Sequence, residues 1–166
     1  GFYEEDLLHI GEGGRNWYGD KYDAVVERSY SLNFPPVVLQ PMRLTLAVAA
    51  TSARASSFSV LVNNQSVGRV SVSSIIGNDW AEAKQADLSF LANGTTNVTL
   101  QYEKSTYSSI GYLNYMEWQA LAKLTMFGNQ MPFGSVYSIG NGNVARLQLE
   151  NSSSSVQVWD VTSIAN

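Results

Sequence analysis

Apolar and polar residues alternate with period two along most of this chain, the pattern of strands with one face in a core and one in water. Residues 57–72, SFSVLVNNQSVGRVSV, show it most clearly. Two runs, Phe58-Val60-Val62 and Val67-Val70-Val72, flank residues 63–66, where asparagines tolerate left-handed turn geometry, so the segment predicts a β-hairpin. The spacing of Val67 and Val70 implies one change of phase, near Gly68. Further strands are predicted over 25–34, ended by Pro35 and Pro36, and over 43–53, with Leu44, Leu46 and Val48 on one face. Residues 86–91 and 97–103 read as a pair joined by a turn at Asn93-Gly94. Later runs at 135–140, 144–150 and 156–162 are separated by turns at 141–143 and 151–155. Residues 75–84 are ambiguous, with 79–83 also compatible with one turn of helix.

The densest apolar run, residues 111–127, supports two readings. Aromatics on both faces between Tyr112 and Trp118 suggest a strand covered on both sides. Good helix formers from Met116 onward favour a helix instead. The strand-like surroundings and the small or apolar residues at Ala120, Ala122 and Leu124 favour the strand, with a bulge expected near Gln119. Residues 1–23 read as an irregular segment. Their G-E-G-G sequence lacks the Lys-Ser/Thr of a phosphate loop. Eight to ten short strands without a long helix predict an all-β, antiparallel two-sheet β-sandwich, jelly-roll-like first and immunoglobulin-like second.

Composition narrows the function classes. A chain of 166 residues with 45% hydrophobic content fits one domain over 1–166 with a real core. Only 14% of residues are charged, below the roughly 25% of an average soluble domain, and Ser, Thr, Asn and Gln take their place. The net charge of −4, with no basic cluster, argues against a nucleic-acid partner. No apolar run is long enough for a membrane-spanning helix. The sequence opens without a signal peptide, so its numbering is expected to start inside a longer precursor. There is no cysteine and a single histidine, His9, which leaves no thiolate chemistry and no multi-histidine metal site within the chain.

Trp17, Tyr18, Tyr22 and Tyr112 are the candidate binding residues, as a sugar-stacking platform or a partner patch. The plainer reading is a lid of aromatics closing one end of the sandwich, and it weighs more. Glu4, Glu5, Asp6, Asp20 and Asp23 could offer oxygens to calcium, but their spacing is not that of an EF-hand loop and solvated acids are the better account. No cofactor is expected. Glu103 and Glu117 are a weak candidate for a glycosidase carboxylate pair. The sequons at Asn64, Asn93, Asn97 and Asn151 fall in predicted turns or at strand starts.

NWYGDKYD (16–23), followed by ERSYSLNFPP (27–36), resembles the region ahead of the catalytic domain in gingipain-like cysteine peptidases. The likeness is strongest to the sortase-like signal peptidases of the Bacteroidetes type IX secretion system. GYLNYMEW (111–118) is similar to that family's Tyr-Leu-Asp-Tyr-Ile/Met-Glu strand, with Asn114 where Asp is usual. VQVWDVTSIAN (156–166) is similar to the junction before its peptidase domain. The resemblance implies a non-catalytic β-sandwich from a secreted or surface peptidase whose histidine and cysteine lie in a later domain. No catalytic residue carries over to this chain. The implied partner is that downstream peptidase domain, with secreted substrates or secretion components as further candidates. Trp159 and Asp160 become the expected domain interface. In the alternating run 156–162 Trp159 should be core, at a cost of about 3–5 kcal/mol on truncation if fully buried, or a wedge against the next domain. The competing reading is a carbohydrate-binding module of a bacterial surface protein, which needs an exposed planar pair among Trp17, Tyr18, Trp80, Tyr107 and Tyr112. A free-standing enzyme finds no supporting constellation.

Overall fold

A computed structural model describes residues 1–11, 16–91, 95–134, 140 and 142–161. Among them every regular element is a strand: β1 (Phe2–Glu4), β2 (Leu8–His9), β3 (Trp17–Tyr18), β4 (Lys21–Tyr22), β5 (Glu27–Leu32), β6 (Pro41–Thr51), β7 (Ser56–Val62), β8 (Gln65–Val72), β9 (Glu82–Leu91), β10 (Thr96–Glu103) and β11 (Ile110–Gln119). Residues 1–23, expected to be irregular, thus contribute four short strands. Residues 79–83 form no helical turn; a tight turn at Gly77 leads directly into β9.

Two sheets face each other. One runs β1-β11-β6-β9, with β4 also on β11, and the other runs β5-β10-β7-β8. From β5 onward the chain steps between them, in the jelly-roll connectivity expected first. One expected pairing is corrected. β10 does not fold back on β9; β9 pairs with β6, and β10 lies between β5 and β7 in the opposite sheet. Alternation identifies the buried face of a strand but not the sheet it joins, so a crossing connection and a hairpin look alike in sequence. The turn expected at Asn93-Gly94 lies outside the described residues.

The core includes the inward positions read from the alternation, Leu44, Leu46 and Val48, Phe58, Val60 and Val62, and Val70 and Val72, and adds Val98, Leu100 and Tyr102 from β10 together with Tyr22, Tyr30, Leu32, Met42 and Phe90. The β7–β8 hairpin turns through Asn63 and Asn64, at φ 48° and 65°, left-handed values that asparagine accepts. Gly68 sits opposite Val60 and Ser66 opposite Leu61, so Val67 is the extra residue that shifts the phase.

In β11 the bulge is at Asn114, not near Gln119: the register with β6 slips between Leu113 and Tyr115. Leu113 faces the core before the slip, and Met116 and Trp118 face it afterwards. Tyr112 is thereby turned to the outer face. The strand ends at Gln119. Residues 120–134 and 142–161 contain no strand, only the isolated bridges Val37↔Ala122 and Thr125↔Glu150. The strands expected at 120–127, 144–150 and 156–161 therefore do not form. Among the described residues β11 is the last strand of either sheet, and Leu147, Val156, Val158 and Val161 are exposed instead of lying in a sheet face. Residues 135–139 and 162 onward lie outside the described residues.

Candidate functional site

β1 and β4 share one edge of β11, at Tyr115–Glu117 and at Gly111–Tyr112 respectively. Between them the chain leaves the sheet, and the β2–β3 hairpin crosses its outer face, pairing Leu8 with Tyr18 and His9 with Trp17. Tyr18 is buried there against Tyr112 and Ala49, with Leu8, Ile10, Ala81 and Ile110 around them. The two tyrosine rings lie 5.9 Å apart. The bulge at Asn114 makes this second cluster possible, because it turns Tyr112 outward.

The chain after the hairpin is anchored by Asp20. Its carboxylate accepts from the Tyr30 hydroxyl at 2.7 Å and the Tyr3 hydroxyl at 3.1 Å, and pairs with Arg28 at 3.2 Å. The Tyr22 and Tyr30 hydroxyls are 2.7 Å apart, and the Tyr22 ring meets Phe58 edge-on. Burial pushes the pKa of both Tyr22 and Tyr30 well above the ordinary phenol value.

Of the four candidate binding aromatics, Tyr18 and Tyr112 thus meet under the hairpin, Tyr22 lies in the main core, and only Trp17 is substantially exposed, at 46%. The Trp17 ring lies tilted against His9, with centroids 3.7 Å apart. Trp80, 66% exposed, lies on Gly11, where an added Cβ would come within 2.6 Å of the indole. Gly11 also takes φ 79°, so that position suits glycine twice over. Trp17 against His9 and Trp80 against Gly11 are thus two exposed indoles, each held by a residue of the β2 end of the chain. The sequence marked both tryptophans, but not the residues supporting them. Tyr107 lies apart, in the loop before β11, with the Lys104 ammonium 5.6 Å from its ring.

The acidic candidates do not converge. Glu103 and Glu117 stand on the outer faces of opposite sheets, so they cannot flank one glycosidic bond. Glu103 bonds Ser59, Ser57 and Arg69, and its pKa is lowered chiefly by the Ser59 hydrogen bond. A shallow hollow of about 360 Å³ beside it is lined by Ser57, Arg69, Ser71 and Lys104. Asp23 pairs with Lys21 and Lys104, whose hydrogen bonds lower its pKa. Among the described residues no three His, Asp or Glu side chains are grouped as metal ligands.

Trp159 is not in the core. It is 78% exposed, and Val156, Val158 and Val161 beside it are exposed too.

No family model and no curated protein matches this sequence. Solved structures do. PorU from Porphyromonas gingivalis, in a crystal structure of its dimeric latent form, superposes with a TM-score of 0.64 at 17% identity. The match covers 76% of this chain and 13% of the PorU chain, so this chain spans only a small part of that protein's length. A CBM36 carbohydrate-binding module in complex with calcium and xylotriose superposes with a TM-score of 0.51 at 14% identity. That match covers 72% of this chain and 99% of the module. At such identities the likeness is one of fold. The chain has a PorU-like β-sandwich of the kind also found in carbohydrate-binding modules. No helix among the described residues is long and apolar enough to cross a membrane.

Proposed function

We propose that this chain is a non-catalytic accessory region of a gingipain-like cysteine peptidase of the type IX sortase kind, working outside the cytoplasm at the cell surface. Its role is to dock on the peptidase domain of the same protein and help present secreted substrates or secretion components to it. The exposure of Trp159, flanked by Val156, Val158 and Val161, is the observation that carries this reading. A largely exposed tryptophan among valines has the composition of a binding anchor. The fold likeness to PorU and the absence of cysteine from the chain support it. In this reading Trp159 and Asp160 lie at the domain interface. The test is to prepare this chain and the remainder of its longer protein separately and titrate one with the other. A one-to-one complex weakened at least tenfold by Trp159→Ala is expected. Absence of a complex, or an affinity unmoved by the substitution, contradicts the docking role.

The exposure of Trp17 and Trp80 favours a second reading, a carbohydrate-binding surface. Exposed indoles suit the apolar faces of sugar rings, and the CBM36 module with xylotriose has the same fold. Retardation of the chain in gels containing xylan or other polysaccharides, abolished by Trp17→Ala or Trp80→Ala, is the expected result. Unretarded migration through all of them removes this reading.

A further inference from the structure

Tyr107 is 98% exposed, yet the turn that carries it is tied down on both sides. Ser109 is fully buried; its hydroxyl accepts the Thr106 N–H at 3.1 Å, and its own N–H donates to the Thr106 carbonyl at 3.1 Å. The Ser109 hydroxyl also lies 2.8 Å from that of Thr106 and 2.9 Å from that of Ser52, which is buried as well. Ser105 donates to the Arg54 carbonyl at 3.1 Å, with its hydroxyl 2.8 Å from that of Ser52. Residues 105–109 are thereby fixed to the loop between β6 and β7, with Tyr107 and Ser108 at the tip of the turn. The folded state gains little from a ring so exposed. A tyrosine held out on a fixed turn has the properties of a contact residue, offering a large area at a small cost in entropy.

The turn stands beside the hollow of about 360 Å³ at the outer face of β10-β7-β8, a volume within the roughly 300–1,000 Å³ of small-molecule sites. Lys104 belongs to both: it lines the hollow, and its ammonium lies 5.6 Å from the centre of the Tyr107 ring. Arg69, Glu103 and Lys104 bring charge to the hollow, and each already has a partner. Arg69 meets Glu103 at 2.8 Å and Lys104 meets Asp23 at 3.0 Å. An anion entering here competes with a carboxylate for either cation, which a neutral ligand does not. Glu103 accepts from Ser57, Ser59 and Arg69, three donors against the roughly four lone-pair sites of a carboxylate. Ser57, Ser71 and Ser105 add hydroxyls that both donate and accept. Among the lining residues only Ala55 is apolar, so a hydrophobic anchor of a protein partner finds no pocket here.

We propose that this hollow, with Tyr107 as its aromatic wall, binds a neutral saccharide. A sugar ring combines a face of C–H groups with a rim of hydroxyls, and the two surfaces it needs lie side by side here. Its apolar face rests on the Tyr107 ring. Its hydroxyls donate to Glu103, accept from Lys104 and Arg69, and exchange hydrogen bonds with the serines. The site is on the opposite sheet from the one that the Trp17 hairpin crosses. It therefore goes beyond the second reading above, and it stands or falls apart from both that reading and the peptidase one.

Amide NMR spectra of this chain, titrated with cellohexaose, xylohexaose and mannohexaose in turn, test the proposal. At least one sugar should shift amides at 57–59, 69–71 and 103–109 while leaving those of His9, Trp17 and Trp80 in place. Tyr107→Ala should weaken that binding at least tenfold with Tm unchanged, because the ring is exposed. Glu103→Gln, which keeps the size but removes the charge, should weaken it as well, and Trp17→Ala should not. Silence at 103–109 with all three sugars overturns the proposal, as does binding that Tyr107→Ala leaves intact. Shifts centred on Trp17 or Trp80 overturn it in favour of the second reading. Shifts at 103–109 raised by sulfate and by no sugar overturn it in favour of an anion site.

Discussion

Asp20 accepts two tyrosine hydroxyls and an arginine at the open side of the sandwich, so single groups there carry more than their own area. Tyr30→Phe leaves the Tyr22 hydroxyl and one Asp20 oxygen without their shared partner. The expected cost is about 1–3 kcal/mol, measured by urea unfolding. The same hydroxyls make an alkaline limit. Both pKa values are raised in the folded state, so the protein keeps protons that the unfolded chain gives up near pH 10. Their contribution stands below about pH 10 and is lost as pH rises beyond it. Tm should therefore fall above pH 10, and fall less steeply in Tyr30→Phe. Trp159 behaves in the opposite way. Exposed as it is, Trp159→Ala should cost this chain less than about 1 kcal/mol in urea, whereas a larger loss would mean that the ring packs on the sandwich. The sequence could not decide between core and interface for Trp159, because alternation identifies a face without saying what covers it.

At the scale of the element, β11 has two phases joined at Asn114, and each phase serves a different layer. Gly111 faces the main core, where an added Cβ would come within 2.7 Å of the Phe58 ring and 2.8 Å of Tyr102. Both rings are buried, so Gly111→Ala should cost about 1–3 kcal/mol by overpacking. Gly68→Ala meets only the Leu88 methyl at 2.7 Å, the far end of a flexible side chain, and should cost less. Equilibrium unfolding of the two variants checks the order. The hairpin β7–β8 was fully legible, because Asn63-Asn64 and its flanking valines report the turn and both faces locally. The bulge was legible only as a need for one, since tyrosine and tryptophan on both faces of 112–118 do not say at which residue the phase turns. The partner of β10 was not legible, since it depends on which end of the sandwich the chain crosses.

For the molecule as a whole, the all-β sandwich followed from strand counting, whereas the strand order of its jelly roll is seen only in the pairing within each sheet. The sequence also named Trp17 and Trp80 among its sugar-stacking candidates, but not the β2–β3 pairing that carries Trp17 over the sheet. Its three expected C-terminal strands were read from alternation alone, and the described residues among them form no strand, since alternation does not supply a partner. Outside the two sheets, Val156, Val158, Trp159 and Val161 are exposed. We propose that they dock on a thiol peptidase domain of the same polypeptide. Peptide hydrolysis by the longer protein, measured before and after thiol alkylation with this chain as the control, tests that claim most directly. The expected result is activity that alkylation abolishes and that this chain lacks. Activity indifferent to alkylation, or activity in this cysteine-free chain itself, would contradict the account.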